Sequence, residues 1–259
     1  LVEYRLGEQT TSTKAKRGMR VKIIRFYSRP GFRGHADPQP AKSFIPDWYK
    51  NAESKYKDEL GGIQLGLKTC MPFLDSLTTG YMLTLPIDIY INEEKKELAH
   101  LFNNNNSSLN MRWDGPPEFG NFIDERSSKS GSTMPRPAGH YPNHLVFKGY
   151  WSVKTPRGYS LLMTHPLNRH DLPFTIASGI IDSDKYFAPG NIPFFVKKGF
   201  SGVVPKGTPI AQLIPIKRNE WTAYQNDPYL SEKDMIQGST VRNKETSYKK
   251  SFWQRKKFV

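Results

Sequence analysis

The chain of 259 residues contains one cysteine, Cys70. That excludes a framework of internal disulfides and any zinc site built from several thiolates, and it points weakly to a reducing compartment. Long apolar runs are missing as well. No stretch approaches the ~20 apolar residues of a membrane span, so neither a transmembrane protein nor a membrane partner is expected. No apolar signal-peptide core is read near Leu1. Apolar residues make up only 37% of the chain, and the mean hydropathy is −0.63. Twenty prolines and 20 glycines argue against a helical bundle, because both residues break helices. Walker loop, dinucleotide fingerprint and nucleophile elbow are all absent. His35 and Asp37 share the His-x-Asp spacing of iron oxygenases, but they sit in a Gly/Pro loop with no third ligand in view. His165, His170 and Asp171 read as loop-ordering residues, and Cys70 reads as a small buried hydrophobe. No metal and no cofactor is expected.

What is present in excess is positive charge, and it is unevenly placed. The formal net charge is +14. Residues 14–33 carry eight basic side chains and no acidic one, and residues 238–259 carry seven basic against Glu245. The rest of the chain is neutral. Such segments meet phosphate polyanions or acidic protein surfaces, or they serve only as solvated tails. Candidate partner-binding residues are Arg17, Arg20, Lys22 and Arg25 in the first segment. In the second they are Lys249, Lys250, Phe252, Trp253, Arg255, Lys256 and Lys257. Tyr248 and Phe252 stand at i, i+4, so a short amphipathic helix is expected within 244–258. Its aromatics suit a groove on a protein partner better than a stacking platform for nucleic acid.

Three regions follow from this pattern: an extended basic arm over 1–19, a single β-rich domain over 20–237, and a basic aromatic tail over 238–259. A first strand is expected over 20–27. Pro46-Asp47-Trp48-Tyr49-Lys50 opens a helix that runs to Leu60 and stops at Gly61-Gly62. From Ile63 onward the chain reads as β, with Pro86 marking a bulge or an edge in 81–91. A turn is expected within 92–107, a strand over 109–113, and a long surface excursion over 114–142. Strands follow near 144–153, 158–164, 174–181, 192–196, 202–204 and 209–217. Many short strands punctuated by Gly and Pro mean a mainly β fold, a distorted barrel or sandwich with one or two short helices.

Within residues 155–218 three pieces are distinctive together. They are Thr155-Pro156-Arg157-Gly158-Tyr159-Ser160, Ser178-Gly179-Ile180-Ile181-Asp182-Ser183-Asp184, and Lys206-Gly207-Thr208-Pro209-Ile210-Ala211-Gln212-Leu213-Ile214. In order and spacing they resemble the dUTPase and dCTP-deaminase superfamily. That resemblance implies a β-clip over about 144–218 and a homotrimer as the assembly state. It aligns Asp182 with the family's water-activating carboxylate, with Asp184, Tyr186, Arg169 and Gln212 as accompanying candidates. The match is incomplete. Lys185 stands before Tyr186, and Thr164-His165-Pro166-Leu167-Asn168-Arg169 replaces the phosphate-gripping Arg-Ser-Ser element. The Gly-rich lid is missing. Glu, which a deaminase needs as acid/base, is absent between Glu125 and Glu220.

Pro46-Asp47-Trp48-Tyr49-Lys50, Cys70-Met71-Pro72-Phe73-Leu74-Asp75 and the stretch from His165 to Phe174 extend the resemblance. They are similar to a family seen in bacteria and marine tailed phages that brings no known activity. The expectation is therefore a non-enzymatic structural or assembly protein, a bacteriophage virion component associated with capsid, neck or tail. It would contact other virion proteins, in the virion or in the host cytoplasm during assembly. A divergent nucleotide-processing enzyme and a nucleic-acid-binding accessory protein are the alternatives.

Overall fold

Short strands dominate the computed structural model, which describes residues 21–28, 34, 36–92, 110–113, 122–126, 134–142, 144–186, 188–223 and 247–259. The first half holds β1 (Arg25–Ser28), β2 (Gln39–Pro40), β3 (Lys55–Lys57), β4 (Ile63–Leu65), β5 (Tyr81–Thr84), β6 (Ile89–Asn92), β7 (Asn110–Trp113) and β8 (Ile123–Glu125). The second half holds β9 (Leu145–Lys148), β10 (Trp151–Lys154), β11 (Tyr159–Thr164), β12 (Phe174–Ile176), β13 (Gly179–Ile181), β14 (Asn191–Val196), β15 (Gly202–Val204) and β16 (Pro209–Lys217). Three short helices accompany them: α1 (Asp47–Asn51), α2 (Met71–Thr78) and α3 (Ser247–Ser251). The fold is mainly β, as expected, and three short helices lie among the described residues.

All strand pairing among the described residues is antiparallel. A five-stranded sheet runs β13-β11-β16-β5-β2 and a four-stranded sheet runs β12-β14-β9-β8. A three-stranded sheet runs β15-β6-β7, and β1-β10 and β3-β4 are two-stranded pairs. Strand β16 is the spine of the larger sheet. Its residues Pro209 to Leu213 are all buried, as an apolar run covered on both faces must be. One core cluster spans Leu83 to Leu213 and joins the sheets through Leu161, Ile210 and Leu213 on one side and Phe147, Phe174 and Phe194 on the other. Phe147 and Phe194 stack with ring centroids 3.8 Å apart.

Several expectations need correction. Helix α1 ends at Asn51, not Leu60, and β3 and β4 form a hairpin where the helix was expected. Asp58 decides this: its carboxylate accepts from the N–H groups of Leu60 and Gly62 and from Gln64 Nε2, which closes the turn. Pro86 splits 81–91 into β5 and β6 rather than bending one strand. Helix α2 interrupts the stretch read as β, with Pro72 in its first turn, where the missing N–H costs nothing. The 114–142 stretch is not wholly an excursion, since Phe122, Ile123 and Tyr141 are core residues. Cys70 is exposed, at the start of α2. The 1–19 arm and the 93–107 turn region lie outside the described residues.

Pairing also sets the site. Strand β11 lies between β13 and β16, with Leu161 opposite Ile181 and Tyr159 opposite Lys217. The start of β11, the end of β13 and the end of β16 therefore meet at one edge.

Candidate functional site

At that edge two carboxylates share one guanidinium. Asp182 follows β13, and its Oδ1 accepts from Ser160 Oγ at 2.7 Å and from Arg218 Nη1 at 3.0 Å. Asp184, two residues on, accepts from Arg218 and from the Gly158 N–H at 2.9 Å. The Asp184 side chain is only 3% exposed, while that of Asp182 is 57% exposed. Thr155 and Ser183 hydroxyls lie 2.8 Å apart behind the turn and fix its inner side. The Ser160 hydroxyl, and after it the Arg218 charge, hold Asp182 below the usual carboxylate range. The Arg218 and Gly158 hydrogen bonds bring Asp184 down to about 2. Both groups are thus fixed as anions.

Beside the turn lies an apolar cavity of about 40 Å³. Ile181, Ser183, Tyr186 and Gly190 line it on the turn side, and Gly149, Trp151, Leu161 and Leu213 line it on the core side. Tyr186 reaches this cavity although Lys185 precedes it, and its ring is 61% exposed. The wall is tight where Gly149 faces Gly190: a Cβ on Gly149 would stand 2.1 Å from the Gly190 carbonyl oxygen. Trp151 Nε1 is buried with no acceptor among the described residues.

The other two candidates lie elsewhere. Gln212 is fully buried and every polar atom of its amide is used. Its Oε1 accepts from the Leu167 N–H at 2.8 Å, and its Nε2 donates to the carbonyls of Ser76 and Thr79 at 2.9 and 2.6 Å. It ties α2 and the 165–172 loop to the central strand. Arg169 is in that loop, outside the cavity lining, with its fork on the Asp171 carboxylate and Nη1 donating to the Phe44 carbonyl. Its side chain is 11% exposed. His165 Nε2 donates to the Arg169 carbonyl at 3.0 Å within the loop, and burial lowers the pKa of His165. Among the described residues no cluster of three His, Cys, Asp or Glu is placed to hold a metal. Nor is any helix there long and apolar enough to cross a membrane.

The basic candidates divide into two groups. Arg17 and Arg20 lie outside the described residues. Lys22 stands over the Tyr159 ring, 5.7 Å from its centroid, and Arg25 is exposed on β1. Lys249, Lys250, Arg255 and Lys257 are exposed, and so is Phe252, which stacks on Tyr248. Trp253 and Lys256, by contrast, are seated on this chain's own α2. Trp253 Nε1 donates to Asp75 Oδ2 at 3.0 Å, and Lys256 Nζ donates to the same oxygen at 2.5 Å.

Sequence reading missed Arg218, Asp75 and the cavity. Two aspartates one residue apart call for a cation, and Arg218 closes the same resembling stretch; that signal was readable. Asp75 gave none until α2 placed it.

No family model and no curated protein matches the chain. Among solved structures it is similar to a mutant dUTPase of Staphylococcus bacteriophage 80alpha solved with dUpNHpp. The two share 19% identity, over 44% of this chain and 94% of that one, with a TM-score of 0.25.

Proposed function

We propose that this chain is a non-enzymatic structural or assembly protein, a virion component of a bacteriophage that contacts other virion proteins at capsid, neck or tail. The observation that carries the non-enzymatic part is the Arg218 clamp on Asp182 and Asp184. A general base works best with a pKa near the working pH. Asp182 is held below even the ordinary carboxylate value, with one oxygen shared between Ser160 and Arg218. The neighbouring cavity, at about 40 Å³, is far smaller than the roughly 150 Å³ void that admits benzene. Arg169 is spent on Asp171 rather than free to hold a phosphate. The virion assignment rests on the likeness of Pro46 to Lys50, Cys70 to Asp75 and His165 to Phe174 to a family seen in bacteria and marine tailed phages.

The divergent-enzyme reading draws on one observation, that Ile181, Ser183 and Tyr186 line a cavity beside Asp182. One assay separates the two. Purified protein with a panel of dNTPs and Mg²⁺, followed by product chromatography, is expected to show no turnover. Turnover of dUTP or dCTP that vanishes in Asp182→Asn would overturn the structural reading in favour of the enzyme. Negative-stain images, with the mass in solution, are expected to show an assembly larger than one chain.

A further inference from the structure

The seat on α2 that holds residues 247–259 is a recognition surface with definite chemistry. Asp75, whose side chain is 14% exposed, takes the Trp253 indole N–H and the Lys256 ammonium on one oxygen. Next to it, Tyr81 of β5 meets Phe258 edge to face, with ring centroids 5.9 Å apart. The Tyr81 hydroxyl donates to the Val259 carbonyl at 3.1 Å, and Phe26 of β1 packs against the Tyr81 ring at 5.3 Å. The seat thus reads an indole, an ammonium and a phenyl ring in the order Trp-x-x-Lys-x-Phe.

We propose that in assembled copies this seat takes the 247–259 segment of a second copy of the chain. The proposal deepens the assembly reading and rests on it for the meeting of copies. Four observations carry it. First, the segment joins no sheet among the described residues, so it can leave one body and dock on another without breaking a ladder. Second, the Asp75 carboxylate loses both the Trp253 and the Lys256 hydrogen bond when the segment leaves, so the seat favours an occupied state, and the segment of any copy fills it with identical chemistry. Third, reach permits it. Residues 224–246 separate Ala223 from Ser247 and span at most roughly 80 Å when extended. That exceeds the diameter of about 45–50 Å of a folded chain of this length. Fourth, the docked segment leaves Tyr248 and Phe252 44% and 51% exposed, stacked on each other. That is aromatic surface for the receiving copy's neighbour to cover.

Charge reversal in full-length chains tests this. In Asp75→Lys the seat repels the chain's own segment, and in Lys256→Glu the segment repels the chain's own seat. Each variant alone is expected to sediment as a single copy. Mixed in equal amounts, the two offer matched pairs only between copies, and a complex of twice the 29.7 kDa chain mass is expected. Circular dichroism checks that both are folded. Should Asp75→Lys not fold, full-length Asp75→Asn mixed with the double variant Trp253→Ala, Lys256→Ala gives the same readout through a single matched pair. A mixture that stays as single copies overturns the exchange. So does either variant that self-associates as well as the wild type. If the wild type assembles while the mixture does not, exchange alone has failed. If the mixture associates while the wild type turns over dNTPs, the assembly reading has failed and the exchange stands.

Discussion

Two isoleucines side by side show what a residue's neighbours decide. Ile180 and Ile181 form an apolar pair in the sequence, as Leu213 and Ile214 do. Ile210 and Leu213 are 1% exposed, but Ile180 is 66% exposed. The reason is that successive residues of β13 face opposite sides of the sheet, so Ile180 faces away from the cavity that Ile181 lines. An apolar run in the sequence does not distinguish the covered face of a strand from the open one. Leu213→Ala is expected to lose about 2–5 kcal/mol of stability, and Ile180→Ala to stay within about 0.5 kcal/mol of the wild type; urea unfolding of both measures the contrast. The aspartates give a pH signature. Asp184 is held at about 2, below the unfolded value of about 3.9. Its stabilising contribution is therefore complete above about pH 4 and is lost as pH falls through 2. Asp182 is lowered too and acts in the same direction. Arg218→Ala removes the cause. Its acid-unfolding midpoint, followed by tryptophan fluorescence, is expected to rise towards pH 4 relative to the wild type.

At the level of elements, the second half of the chain was read more closely than the first, although the strands expected at 144–153 and 174–181 are each split in two. Gly and Pro bracket β15 and β16, and the strands expected at 202–204 and 209–217 match them residue for residue. Residues 52–60 are mostly good helix formers, and Ala52, Tyr56 and Leu60 stand four apart, yet Tyr56 and Leu60 are exposed. Local propensity then yields to the Asp58 turn. The opposite error hid α2, whose eight residues are too short for a periodicity to emerge; Pro72 in its first turn was the usable sign. Helix α2 depends on Gln212, whose buried amide has three partners. Gln212→Leu would strand the Leu167 N–H and the Ser76 and Thr79 carbonyls. A loss of at least about 1–3 kcal/mol is expected, with faster hydrogen exchange in α2. Because α2 also carries Asp75, the Trp253 emission should shift to the red in the same variant.

For the whole molecule, the uneven charge poses the question of partner. The sequence showed where the basic residues lie, but not that Trp253 and Lys256 fold back on an acidic residue 178 and 181 positions away. Long-range pairing of that kind leaves no local trace. If the basic segments were built for DNA or RNA, binding would weaken steeply with salt, by about 0.9 in log affinity per log unit of salt for each phosphate neutralised. A protein-groove partner instead gives a shallow salt dependence. Phe252→Ala and Trp253→Ala are then expected to weaken association as much as removing several lysines. Co-sedimentation at two salt concentrations checks it. The core cluster contains no residue of 247–259, so removing residues 238–259 should leave a folded body that no longer incorporates into its assembly.

Gly149 and Gly80 set a limit on how far this sequence can drift. A Cβ on Gly149 would stand 2.1 Å from the Gly190 carbonyl oxygen, and one on Gly80 would stand 2.1 Å from that of Leu213, at a φ of +80° besides. Backbone pressed on backbone leaves no flexible side chain to give way. Descendants of this chain can exchange most of their surface and much of their core while volume is conserved. These two positions have no such freedom. In a lineage where overall identity has decayed, these two glycines, together with Gly66, whose Cβ would stand 2.1 Å from the Glu53 carbonyl oxygen, are the trace that should outlast the rest.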